Sequence, residues 1–383
     1  MINKEVIANI IEEAIKHNYI TQETSSENVD SKCTVSNRPA FKEAIQQYAQ
    51  TNGLDIKFGG RGEDIGVTLT DTKNNTQIKF SKEFLNKDLI DYKNEGNKAM
   101  NLEDVIQSYT DLPDPLKKDT NQILFDDEEI PSATGEWIYG ISRWLDPTLK
   151  DTNTVHISPI LFDGSSDNPS LSFVLGHEMA HCHDYKKIPP TEKESLVQAL
   201  DNIYNKGIPP KEDEIKLLGK YNKILGTGEY FMRSSNSYAD AQMNNRKMIA
   251  DEYMNGNMGQ LVATPEDKMV PDGVYWSLNV MNSSSMYGLA TGSVHEDYAD
   301  ACAIITSGHS NPQTTINYCD HQVSYGDWVA THPYQAQYFF KELYGENYTI
   351  EELMTWGESN ILRVTGVDDS TSLWDGTMYE GLL

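Results

Sequence analysis

Apolar residues near the start of the chain, Ile2, Val6, Ile7, Ile10, Ile11, Ala14 and Ile15, recur at helical spacing and predict an amphipathic helix over residues 2–19. A polar stretch over 21–39, closing on Pro39, reads as a linker, and Phe41 to Tyr48 as a second helix. The pattern then changes period. Leu54 to Phe58, Ile65 to Thr70 and Gln77 to Phe80 alternate as short strands, the last two joined as a hairpin through Lys73-Asn74-Asn75. Asp111-Leu112-Pro113-Asp114-Pro115 punctuates the chain and an acidic run, Asp126 to Glu129, follows. We therefore expect a small α+β region over 1–125 and a second, larger domain over 126–383.

Within the larger domain, Thr154 to Leu161 has strand character, and Pro159, which cannot donate to a ladder, predicts that this strand lies at a sheet edge. Unpaired backbone groups on such an edge can align an extended peptide by β-addition. The loop 163–168 leads into a helix with Ser170 or Ser172 as N-cap and Leu171, Phe173, Val174 and Leu175 as its apolar flank. Pro189-Pro190 marks its end. Residues 191–206 and 211–225 read as helices, and a helical stretch near 239–253 interrupts the irregular span 226–285.

Charge narrows the choice of partners. With 31 Lys+Arg against 58 Asp+Glu, the net charge of −27 repels nucleic-acid backbones and anionic membranes, so neither is expected as a partner. Four separated cysteines, Cys33, Cys182, Cys302 and Cys319, make neither a disulfide framework nor a cysteine-rich zinc site. Glu5, Glu12 and Glu13 spoil a secretory apolar core at the N-terminus, and no run reaches the length of a membrane helix. The expectation is a soluble protein, cytoplasmic or exported without a Sec-type signal.

The chemistry is concentrated in His177-Glu178-Met179-Ala180-His181. Histidines at i and i+4 share a helix face and can converge on one metal ion, while the glutamate beside the first can act on a metal-activated water as general base. A zinc site that turns over needs a third protein ligand. Gly and His at positions 184 and 187 would complete the metzincin pattern; Asp184 and Lys187 stand there, which excludes it. His183 points about 160° away from His181 around the helix and reads as a surface or supporting residue. The better third ligand is Glu296, in His295-Glu296-Asp297-Tyr298-Ala299-Asp300, where Asp300 at i+4 can orient a ligating histidine and Ala299 and Ala303 permit close packing.

HExxH followed by Glu-Asp-Tyr-Ala-Asp resembles the gluzincin pattern of zinc peptidases. His177 to Tyr185, with Tyr287 upstream of Glu296, is similar to the catalytic domain of anthrax lethal factor-like peptidases, over about 25 residues in two islands. The resemblance implies an α+β, zincin-like metallopeptidase domain whose active-site helix packs under a small mixed sheet. It implies one Zn²⁺ held by His177, His181 and Glu296, with Glu178 activating water, Asp184 supporting a ligand and Tyr287 donating a hydrogen bond to the tetrahedral intermediate. Tyr298, His295 and His309 are rivals for that last role, and His332 sits in a Thr-His-Pro that another gluzincin group shares. The function so implied is a metalloendopeptidase acting on a protein or peptide substrate. Two alternatives stand beside it: a binding or structural protein organised by zinc, and a hydrolase of a non-peptide amide.

Overall fold

The computed structural model describes residues 46–59, 65–86, 100–131, 137–145, 151–164, 168–204, 206–209, 211–221, 294–309, 315–318 and 321–359, with isolated residues between 238 and 248. The expected helix over 2–19 and the linker over 21–39 lie outside these residues. The chain divides into two units, Met1–Lys186 and Lys187–Leu383.

The first unit is built on one mixed sheet of six strands: β1 (Leu54–Phe58), β2 (Ile65–Asp71), β3 (Thr76–Ser81), β4 (Gln122–Phe125), β5 (Gly140–Leu145) and β6 (Asp151–Ile157), in the order β1-β2-β3-β4-β6-β5. The expected hairpin joins β2 and β3. Its turn is set by Asp71, whose carboxylate accepts from the Lys73 and Asn74 backbone N–H groups at 3.0 and 3.1 Å, and by Asn75 at φ 60°. β3 and β4 run parallel, which demands a crossover connection. Its described part holds a one-turn helix, Lys82–Asn86, and then α1 (Leu102–Thr110) and α2 (Asp114–Asp119). Asn101 and Asp104 close a reciprocal capping box at the start of α1, and Leu102, Val105, Ile106 and Tyr109 form its buried stripe.

Register explains the core. Leu69, Ile78, Ile123 and Val155 stand opposite one another from β2 to β6, as do Val67, Phe80, Phe125 and Ile157 one pleat away. Both apolar rows cross the sheet on one face, and every member is essentially inaccessible to solvent. Full burial of one such side chain contributes about 1.5–3 kcal/mol, so these rows, together with the stacked Phe80–Phe125 pair at 4.3 Å, anchor the unit. The long helix α3 (Leu171–Lys186) packs against β5, β6, α1 and α2. This is an α+β architecture of a mixed sheet packed with helices.

One expectation is overturned. β6 is not an edge strand: it pairs in parallel with β4 and antiparallel with β5. Pro159 costs the ladder nothing because the strand has already ended at Ile157, and the proline opens a short 3₁₀ turn, Pro159–Phe162. The last ladder-like bond runs from the Ser158 N–H to the Tyr139 carbonyl at 2.8 Å. The edge on this side is β5. The sheet also takes strands from both sides of residue 125, since β4 bonds to β6.

The second unit comprises α4 (Pro190–Tyr204), α5 (Glu212–Tyr221), α6 (Val294–Gly308), a hairpin of β7 (Thr315–Tyr318) and β8 (His321–Ser324), then α7 (Tyr325–Thr331), α8 (Pro333–Phe339) and α9 (Ile350–Ser359). Its core is aromatic: Tyr238, Tyr298 and Phe339 meet with centroids 5.0–5.6 Å apart. Gly308 ends α6 against the Tyr325 ring so closely that an added Cβ would stand 2.0 Å from it. The expected helices over 191–206 and 211–225 correspond to α4 and α5, with 222–225 outside the described residues.

Candidate metal centre

Helix α3 starts where the sequence places its cap: the Ser170 hydroxyl accepts from the Phe173 N–H at 3.2 Å, and the Ser170 carbonyl from Val174 N–H at 3.1 Å. From there the helix is buried nearly all round. Leu171, Phe173, Val174, Leu175, Met179, Ala180 and Cys182 are inside, and so are Glu178, His181, His183 and Asp184. Placing four polar side chains on a core helix is costly unless each finds partners, so each must be held by a neighbour or an ion rather than by solvent.

His177 and His181 are brought together by one helical turn. Their rings meet edge-to-face at 4.9 Å, with the two Nε2 atoms 3.3 Å apart. Two nitrogens bound to a tetrahedral zinc at its usual bond length stand about 3.3–3.4 Å from one another, so the pair fits that ion without rearrangement. A Glu178 carboxylate oxygen completes a group whose three ligand atoms all lie within 4.8 Å of one another, and this His-Glu-His group could hold a metal ion. Viewed down the helix, His181 is about 40° from His177, whereas Glu178 is about 100° away. The carboxylate therefore approaches the imidazole pair from one side.

What lies on that side is β5. A Cβ built on Gly140 would be 3.0 Å from Glu178 Cγ, 3.2 Å from its Oε1 and 3.1 Å from Val174 Cγ1. Glycine at the start of the edge strand thus lets backbone approach the carboxylate, an identity that sequence reading passed over because Gly140 carries no motif. Gly140→Val should displace Glu178 and Val174 and loosen the packing of β5 on α3, read as a lower melting temperature.

Of the remaining expectations, Asp184 is buried on α3. His183 is not a surface residue: its side chain is 7% exposed and its Nδ1 lies 2.6 Å from the Asp119 carboxylate, tying α3 to the end of α2. It does face away from the His177–His181 pair, in keeping with its position around the helix, but onto packed protein rather than solvent. Asp119→Ala should cost about 1.5–3 kcal/mol of stability in urea unfolding while sparing metal binding. The Cys182 thiol, in the same stretch, is pushed well up by burial and by the nearby Glu178 carboxylate, which leaves it inert rather than a ligand.

Glu296 stands in the first turn of α6, in the second unit. The next residue, Asp297, is buried and accepts hydrogen bonds from the Tyr238 hydroxyl at 2.7 Å and from Gln242 Nε2 at 2.9 Å, which fixes the start of that helix. Asp300 is buried, and Tyr298 belongs to the aromatic core. His332 is buried and stacked on Trp328 at 5.0 Å, a packing role. Tyr287 lies outside the described residues. No family model, curated protein or solved structure matches this chain.

Proposed function

We propose that the protein is a zinc-dependent metalloendopeptidase of gluzincin type, cleaving peptide bonds in extended segments. The observation that carries this reading is the 3.3 Å separation of the His177 and His181 Nε2 atoms, with the Glu178 carboxylate beside them on a buried helix. His177, His181 and Glu296 would hold the zinc, which when bound would supply Lewis acidity toward a carbonyl and make water nucleophilic near neutral pH. Glu178 accepts a proton from the attacking water and returns it to the departing amine. Tyr287 is assigned the hydrogen bond to the oxyanion.

The edge strand supports a peptide as substrate. β5 has its single partner in β6 among the described residues, so its outer backbone groups can receive an extended chain, and Gly140 at its start abuts Glu178. A substrate added there would run past the general base. No helix among the described residues is long and apolar enough to cross a membrane.

A second reading has one observation in its favour: Glu178 belongs to the set of convergent ligand atoms, so a zinc-organised protein without turnover would use it as a ligand. Incubating the zinc-loaded protein with a cell extract and mapping new N-termini across the proteome separates the two. Defined new termini are expected. Their absence with stoichiometric zinc bound favours the binding protein.

A further inference from the structure

The second unit contains a pocket of about 720 Å³, within the usual range for ligand sites, formed where the ends of α6 and α8 meet the loop leading into α9. Its walls are of two chemistries. Phe340 and Tyr348 meet edge-to-face at 5.2 Å, and Tyr325 and His309 complete the aromatic side, His309 backed from outside the pocket by Tyr344 at 3.6 Å. Three carboxylates, Glu346, Glu351 and Glu352, line it beside Thr349, Leu353 and Thr355, and none of the lining residues is Lys or Arg. We propose that this pocket binds a cationic side chain, the guanidinium or ammonium group of a basic peptide.

The argument rests on complementarity and on rigidity. An aromatic face beside carboxylates in a partly enclosed pocket favours a cation carried on an apolar stem, because the ring quadrupole and the negative charges act on the head while the stem packs on the rings. Tyr348 is 40% exposed, one of two large hydrophobic residues so exposed among the described residues, and it lines this pocket. The loop that presents it is held in place. Gly345 takes a left-handed φ of 70°, turning the chain out of the π-helical segment Phe340–Tyr344, and Gln337 Nε2 donates to the Tyr348 carbonyl at 2.6 Å. Thr349 and Glu352 then close a reciprocal cap on α9: Glu352 accepts from the Thr349 N–H at 2.7 Å, and the Thr349 hydroxyl accepts from the Glu352 N–H at 3.1 Å. A site whose walls are fixed beforehand loses less entropy on binding. Glu346 lies 3.4 Å from His309 Nε2, and Glu351 is exposed, with its charge available to a ligand.

The pocket shares no residue with the His-Glu-His group, so this inference does not depend on the peptidase reading. The test is calorimetric titration of the full chain with a short acetylated Gly-Arg-Arg-Gly amide, against the same peptide with the arginines replaced by neutral citrulline. Binding of the arginine peptide is expected, at least about tenfold tighter than the citrulline one. Glu346→Gln with Glu351→Gln, which leaves the Thr349–Glu352 cap intact, should weaken binding about tenfold, and Tyr348→Ala should weaken it severalfold with the far-UV circular dichroism spectrum unchanged. Equal affinity for both peptides, no binding at millimolar concentration, or binding untouched by these variants would overturn the proposal. So would displacement of the peptide by Ca²⁺ at equimolar levels, which would make the pocket a divalent-cation site.

Discussion

Glu178→Gln is expected to lower peptide hydrolysis by about 10²–10⁴-fold, the usual contribution of a positioned general base, while zinc stays bound at full stoichiometry. The substitution keeps the shape of the side chain and its approach to Gly140, so the packing of β5 on α3 survives; it removes only the capacity to take a proton. Cleavage of a peptide identified by N-terminal mapping reads the first effect, and elemental analysis of the dialysed protein reads the second. The two measurements together are decisive because Glu178 stands both beside the histidines and among the convergent ligand atoms. Loss of metal along with activity would make the carboxylate a ligand. Normal cleavage would remove Glu178 from the mechanism altogether.

On the proposed ligand set, Glu296→Ala is expected to strip the protein of zinc. Two imidazoles hold the ion poorly, and losing a direct ligand should weaken binding beyond the roughly 10–100-fold that a change in an outer hydrogen-bond partner costs. The buried Asp297, held by Tyr238 and Gln242, keeps the start of α6 in place, so the variant tests ligation rather than folding of that helix. Zinc retained at stoichiometry would place the third ligand elsewhere, and His295→Ala would be the next variant to analyse for metal. If His295→Ala removes the metal and Glu296→Ala does not, the acidic helix is excluded as the source of the ligand.

Local chemistry was well written in the sequence. The β2–β3 hairpin, the Ser170 cap and the burial of the HExxH helix all follow from periodicity and turn residues within a few positions of each other. Helix α1 was equally legible, with Asn101 and Asp104 as a capping box ahead of Leu102, Val105, Ile106 and Tyr109, although its stripe passed unread. What failed was non-local. Pro159 was taken to mark an edge, but a proline constrains only its own N–H, and whether a strand has two neighbours depends on chain far away: here β4, some thirty residues earlier, and β5. The angle of His183 around the helix leaves a surface and a supporting role open, and what covers that side is α2, which no pattern around His183 announces. Gly140 was silent for the opposite reason: its importance lies in the side chain it lacks.

The burial of α3 on nearly every side has a thermodynamic consequence. The helix that carries the imidazole pair is also the core element holding β5, β6, α1 and α2 together, so an ion held by the paired histidines would favour the folded over the unfolded chain. With an ion bound there, occupancy and folding would be one coupled equilibrium: at free metal about a hundredfold above its dissociation constant, occupancy would add about 2.7 kcal/mol to the stability of the fold. Scarcity of such an ion would then be felt first as a greater population of opened molecules.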